Sequence, residues 1–375
     1  MVIQKKIRNQ PAPLDIIDYL VSERKFLIII IFGFIFTAIF LNNTQIAMWL
    51  GFLFAAYAAV ANDSIQSLGT FIESNRSKKW WILWIFIGGI FLVTVTFSYL
   101  YFDGDVTYRR LLSADGKTMF PHPEKFNYFQ VIAPLVLLIL TRLRMPVSTT
   151  FLLLSVFSSS SSGIGSMVTK SLSGYFMAFI LSFLIWYFGY YFIKKYFKAR
   201  KAHPSWTFIQ WAISGCLWSA WIMQDGANIA VFLPRQQSPL QFLVFSLTIF
   251  AGLGLLLYLR GDKIQKIVSE KIRISDVRAA TLVDFSYVLL LIYKLFISTI
   301  PMSTTWVFLG VIGGREIAIS LARMKKGKKH KIKAWRLILK DTTSAFIGLV
   351  ISVALASGAN PAIRNEIISF ITNLF

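Results

Sequence analysis

Long apolar runs, broken by short polar or basic stretches, recur from about residue 26 to residue 358. Most are close to the roughly 20 residues that an α-helix needs to cross a bilayer core. None shows the strict alternation of a membrane β-strand, so a barrel is excluded. The pattern predicts spans at about 26–42, 45–72, 80–102, 126–142, 146–166, 170–193, 207–231, 239–259, 281–300, 301–322 and 340–358. Met1 to Pro13 is largely polar, which does not read as a cleavable signal, and Leu14 to Lys25 reads as a short interfacial amphipathic helix. The fold class expected is an all-α, polytopic membrane protein.

Composition agrees with that class. Of the 375 residues, 56% are hydrophobic and only 15% charged, where a soluble domain has about a quarter charged. The net charge of +22 comes from 39 Lys and Arg against 17 Asp and Glu. On a soluble chain it would suggest nucleic acid. Here the basic residues sit between the apolar runs: Lys5/Lys6/Arg8, Arg76/Lys78/Lys79, Arg142/Arg144, Lys194 to Lys201, Arg260 to Arg278, and Arg323 to Arg336. Loops of this kind stay in the cytoplasm. Eleven spans threaded from a cytoplasmic N-terminus put every cluster on that side, which also argues that 146–166 crosses rather than turns back. The bilayer is the partner this charge implies, and no nucleic acid is expected. An integral, multi-pass protein of a bacterial inner (plasma) membrane is the expected localisation.

Within the apolar runs, two polar islands nearly mirror each other. One reads Asn62-Asp63-Ser64-Ile65-Gln66, the other Gln224-Asp225-Gly226-Ala227-Asn228. In each, an amide precedes a carboxylate and a second amide follows three residues on, on the same helical face. A carboxylate inside a membrane helix costs about 2.5–3.5 kcal/mol even on insertion scales, and marks a functional site by default. Oxygen and amide ligands alone suit a hard cation such as Na⁺, not zinc or iron. Asn62, Asp63, Gln66, Gln224, Asp225 and Asn228 are therefore the candidate cation ligands.

Each island is followed, at a similar distance, by the same short motif: Pro146-Val147-Ser148-Thr149-Thr150, then Pro301-Met302-Ser303-Thr304-Thr305. Proline followed by hydroxyl residues suits the first turn of a helix, whose N-terminus attracts anions. Simple capping explains one such motif; a matched pair points to a site. The eleven-span threading gives the two halves opposite orientation. Such inverted repeats are typical of secondary transporters, with the site where the repeats meet. The expected organisation is 1–44, an N-terminus and first helix; 45–200, a first repeat of about five spans; 201–358, a second; and 359–375, a tail. Past each motif lie small residues, Ser158 to Ser162 with Gly163 and Gly165, and Gly310, Gly313 and Gly314. They allow a backbone break or a close helix approach. Of the other charges, Lys170, Asp284, Lys294 and Asp341 are expected near interfaces, and Arg315-Glu316 as a self-contained pair.

The single cysteine, Cys216, has no disulfide partner, and His122, His203 and His330 fall between spans. Neither a nucleophile set nor a phosphate loop of the Walker type is present. An enzyme and an ATP-driven pump are not expected, and no cofactor is implied beyond the coupling ion.

The doubled signature resembles the inorganic phosphate transporter (PiT) family, which carries a Gly-Ala-Asn-Asp-Val-Ala-Asn type signature in each of two inverted halves, each followed by Pro-Val-Ser-Thr-Thr-His. The first copy here is Val60-Ala61-Asn62-Asp63-Ser64-Ile65-Gln66-Ser67-Leu68-Gly69-Thr70, and the second is Met223-Gln224-Asp225-Gly226-Ala227-Asn228. The resemblance covers about residues 45–330. It implies symport of phosphate with Na⁺ or H⁺. Asp63 and Asp225 would bind cations and help hold the anion. Ser148, Thr149, Thr150, Ser303, Thr304 and Thr305 would hold it from the two helix starts. A homodimer is also suggested by the family. The chain departs from the pattern at Val60 and Ile222 (leading glycines), at Gln224 (an asparagine), and at Phe151 and Trp306 (histidines). Sulfate or another oxyanion, and a passive anion channel, are the alternatives kept.

Overall fold

The computed structural model describes residues 23–112, 119–143, 145, 147–197, 202–259, 276–297, 300–322 and 327–373. The elements are α1 (Arg24–Phe40), α2 (Thr44–Ser74), α3 (Trp80–Tyr101), α4 (Tyr128–Arg142), α5 (Thr149–Leu154) with a 3₁₀ turn (Ser155–Phe157), and α6 (Ser161–Phe197). Then follow α7 (Ser205–Ala230), α8 (Pro239–Tyr258), α9 (Val277–Ile297), α10 (Thr304–Ala322), α11 (Gly327–Ala359) and α12 (Pro361–Thr372). No strand occurs among the described residues. Among these residues, seven helices are long and apolar enough to cross a membrane. Large apolar side chains such as Phe208, Val93 and Phe296 stand exposed on the outside, as expected of a bundle solvated by lipid. The protein is an integral, multi-pass membrane protein.

Local sequence sets the helix starts. The Asn43 side chain accepts from Ile46 N at 3.1 Å. Asn127 with Gln130, and Ser238 with Gln241, form capping boxes. Each satisfies backbone N–H groups that apolar surroundings would otherwise leave bare.

The side of the bundle where α1 begins is the near side, and the opposite one the far side. The principal difference from the span pattern lies at 126–166. α4 runs along α1 toward the near side, with Gly33 against Leu135 and Arg142 donating to Glu23 at 2.7 and 2.5 Å. The chain then turns back. Gln130 Nε2 donates to Val156 O at 3.1 Å, Phe126 meets Phe157, and Ser159 N donates to Met119 O at 3.4 Å. The segment 146–166 is therefore no single spanning helix. It holds a six-residue helix, a 3₁₀ turn and an extended Ser158, after which α6 begins. The physical reason is the run of serines. Ser158 Oγ donates to Ser160 O at 2.8 Å, a local bond that competes with the helix ladder. Arg142 consequently lies at a hairpin tip. Arg142→Ala removes a half-buried ion pair and a stack over Phe26 at 5.1 Å. It is expected to cost about 1–3 kcal/mol, read as a drop of several degrees in the thermal midpoint in detergent.

α9 and α10 form a second hairpin. α10 runs parallel to α6 and close against it. A Cβ on Gly310 would lie 2.4 Å from Tyr175 O, and one on Gly314 2.2 Å from Phe179 O. Ser182 Oγ donates to Val311 O at 2.7 Å within the same contact. The glycines past the second motif thus serve close helix approach, while the serines past the first serve a backbone break. α3 and α8 pack antiparallel through Gly88 against Phe250 and Gly254 against Trp84.

On the far side, residues 102–112 form a tight loop. Asp103, Tyr108 and Arg109 adopt positive φ of 51°, 53° and 58°, at about 1 kcal/mol each. Asp105 holds the turn through Thr107 N at 2.6 Å and Arg109 N at 2.9 Å. Gly104, at φ 93°, leaves room for Gln237, whose N–H it accepts at 2.9 Å. Arg235 secures the neighbouring segment by donating to Phe120 O, Val231 O and Leu233 O. Burial brings its guanidinium down to about 10, so it stays charged at neutral pH. Burial, and then the Arg235 charge, lower the pKa of His122.

Candidate substrate and cation site

The starts of α5 and α10 meet inside the bundle, between the polar islands of α2 and α7. The turn of the first hairpin brings Thr149 and Thr150 to mid-bundle, and the second hairpin does the same for Thr304 and Thr305. Ser148 and Ser303 act as caps, accepting from Phe151 N at 3.1 Å and Trp306 N at 3.2 Å. Capping frees the next two hydroxyls at each helix start for other partners.

Those hydroxyls reach the carboxylates. Thr149 Oγ1 donates to Asp63 Oδ1 at 2.6 Å, and Thr304 Oγ1 donates to Asp225 Oδ2. Thr150 Oγ1 donates to Asp225 Oδ1 at 3.1 Å. The amides join them. Asn62 Nδ2 donates to Asp63 Oδ1 at 2.7 Å, and Asn228 Nδ2 to Asp225 Oδ1 at 3.0 Å. The helix starts also touch one another: Thr150 Oγ1 lies 3.4 Å from Met302 O, Thr305 Oγ1 3.5 Å from Val147 O, and the Phe151 and Trp306 rings meet edge to face at 5.2 Å.

Asp63 is 2% exposed and Asp225 1%, and the two carboxylates lie within electrostatic reach of each other. Two buried like charges need compensating positive charge. Several buried polar atoms lack a partner: Asp63 Oδ2, Asn228 Oδ1, and both ends of the Gln224 amide. A fully apolar core would not keep such atoms; a cation or a polar solute satisfies them. Of the residues expected from sequence, the structure gathers Asn62, Asp63, Gln224, Asp225, Asn228, Ser148, Thr149, Thr150, Ser303, Thr304 and Thr305 here. The side chain of Gln66 lies outside the described ones.

Two further residues lie beside this region and carried no signal in the sequence pattern. Tyr287, on α9, donates to Thr304 O at 3.0 Å and lies within electrostatic reach of both aspartates. Arg110, from the far-side loop, is 3% exposed and interacts with the Asp225 charge. Burial draws its guanidinium down to about 10 against that attraction, and it stays charged at neutral pH. Asp284 was expected near an interface; it is buried instead, accepting from Thr70 and from Ser214 Oγ at 2.6 Å. It ties α9 to α2 and α7. Arg315 and Glu316 do pair, at 2.6 Å.

The site thus consists of two helix starts that meet at buried carboxylates inside a membrane bundle. Among solved structures, the chain is similar to one described as the sodium-dependent phosphate transporter. The TM-score is 0.57 over 87% of this chain and 99% of the other, at 17% identity. That likeness establishes the fold. No family model and no curated protein sequence matches the chain.

Proposed function

We propose that the protein is a divergent PiT-family carrier, not an enzyme, that moves inorganic phosphate with Na⁺ as coupling ion by alternating access. The observation that carries this reading is the pair of buried carboxylates set against two abutting helix starts, with unsatisfied oxygens between them. Cations at Asp63 and Asp225 would offset both the carboxylates and an incoming dianion. Thr149, Thr150, Thr304 and Thr305 now donate to carboxylates or main-chain carbonyls, and the same hydroxyls can turn to phosphate oxygens. α10, at 19 residues, contributes a fuller helix dipole than the six-residue α5, so the first half relies more on its hydroxyls.

The two halves, 45–200 and 201–358, serve on this reading as inverted repeats. Matched bonds support it: Asp63 with Thr149 against Asp225 with Thr304, Ser148 against Ser303, and Thr150 to Met302 against Thr305 to Val147. The fold likeness to a sodium-dependent phosphate transporter supports it too.

The test is labelled phosphate uptake into proteoliposomes with and without an inward Na⁺ gradient, competed by sulfate or arsenate. Saturable, Na⁺-driven uptake that sulfate does not block is the expected result. Uptake indifferent to any cation gradient would reassign the protein as a passive pathway. Sulfate uptake in place of phosphate would change the cargo.

A further inference from the structure

Outside the paired threonines, the far-side loop, α6 and α9 bring three basic side chains together. Arg110 Nη2 donates to Leu295 O at 3.4 Å. Lys170, on α6, donates through Nζ to Ile300 O. Lys294, on α9, donates to Ser173 Oγ at 2.7 Å. Lys170 lies within electrostatic reach of both Arg110 and Lys294, and Arg110 within reach of Asp225. The cluster therefore stands within electrostatic reach of one of the central carboxylates.

Like charges this close, in part away from bulk water, repel one another. Lys294 and Leu295 lie in the last turn of α9, whose exposed carbonyls amount to about half a negative charge. That attraction, like the bonds to Ile300 O and Ser173, explains why the hairpin tip tolerates cations there. It does not explain why the tip gathers three, from three separate elements, one of them set by a loop with strained backbone. Convergent basic side chains are what anion pathways use, and basic clefts speed anion capture about 10- to 1000-fold.

We infer that Arg110, Lys170 and Lys294 form a second oxyanion site, a waiting position on the far side from which a phosphate-like anion passes to the paired helix starts. The direction of passage rests on the carrier reading above; the site itself does not. Its ligand class is a small tetrahedral oxyanion, met by a guanidinium and two ammonium groups.

The test counts labelled inorganic phosphate bound to the purified full-length protein in detergent with Na⁺ present. Two phosphates per chain are expected for the wild type, and one for Lys170→Gln/Lys294→Gln. One is also expected for Thr149→Ala/Thr304→Ala, and that remaining phosphate should weaken about tenfold between low and high ionic strength. Lys294→Gln alone should weaken the second phosphate about fivefold, while Lys170→Arg keeps it. A single wild-type phosphate, lost in the threonine variant and indifferent to the basic ones, overturns the inference and leaves the central site standing. A single phosphate lost with Lys170 and Lys294 but kept without the threonines supports it and removes the central reading instead. Should the double basic variant fail to fold, an unchanged affinity in Lys294→Gln overturns the inference.

Discussion

Replacing Asp225 with asparagine is expected to lower Na⁺-driven phosphate uptake at least about 100-fold while the protein stays folded. The substitution keeps the side chain's shape but removes its charge. All the bonds that Asp225 takes, from Thr304, from Thr150 at 3.1 Å and from Asn228 at 3.0 Å, are donated to it. An amide nitrogen in place of Oδ2 or Oδ1 faces a donor, so a threonine hydroxyl must turn away. A hydrogen bond to a charged group contributes about 1.5–3 kcal/mol, and 2.7 kcal/mol is about a factor of 100. Loss of the cation's counter-charge adds to that. Asp63→Asn is expected to act alike, since Asp63 also has an oxygen without a protein partner. The measurement is initial uptake into proteoliposomes, with reconstituted amount and thermal midpoint as controls. Uptake within twofold of wild type in either variant would remove the aspartates from the mechanism.

The second large effect is on folding. Gly314→Leu is expected to yield no monodisperse protein, and Gly314→Ala a protein with a midpoint several degrees lower. A Cβ at Gly314 would stand 2.2 Å from Phe179 O and 2.9 Å from Phe183 N. Both are backbone atoms of α6 and cannot rotate aside. The helices must then part, and every contact along them loosens. Overpacking typically costs about 1–3 kcal/mol when side chains can adjust, and more is expected where they cannot. Gly89→Leu is the control, because a Cβ there meets nothing within 4 Å. Size-exclusion profiles after detergent extraction make the comparison. A sharp peak for Gly314→Leu would mean that the α6–α10 contact gives way more easily than its geometry implies.

The membrane class and most of the candidate site could be read from the chain because both depend on residues close in sequence. Apolar length marks a helix that faces lipid. An aspartate between amides in such a helix is costly enough to stand out, as does a twice-repeated Pro-x-Ser-Thr-Thr. The return of the chain after α4 could not be read this way. The stretch 146–166 has the length of a span, and only its contacts with Met119 and Gln130 reveal that it returns. Nor could local sequence show that Arg142 is held by Glu23 at a hairpin tip. Asp284 looked like an interfacial charge, since nothing nearby in sequence announces Thr70 or Ser214. Arg110 and Tyr287 come near the aspartates only through tertiary folding, so no local pattern pointed to them.

The length of α6 has a mechanical consequence. Its 37 residues make a rod of about 55 Å, against a hydrocarbon core of about 30 Å. α10 is fastened along the middle of that rod through Gly310 and Gly314, without side chains in between to act as a cushion. Thr304 and Thr305 therefore cannot be repositioned unless the rod pivots with them. A tilt of about 10° at that fulcrum would sweep an end some 30 Å away through about 5 Å. On the proposed carrier reading, small adjustments around a bound anion would be geared up into a displacement large enough to be followed by a distance label at the end of α6.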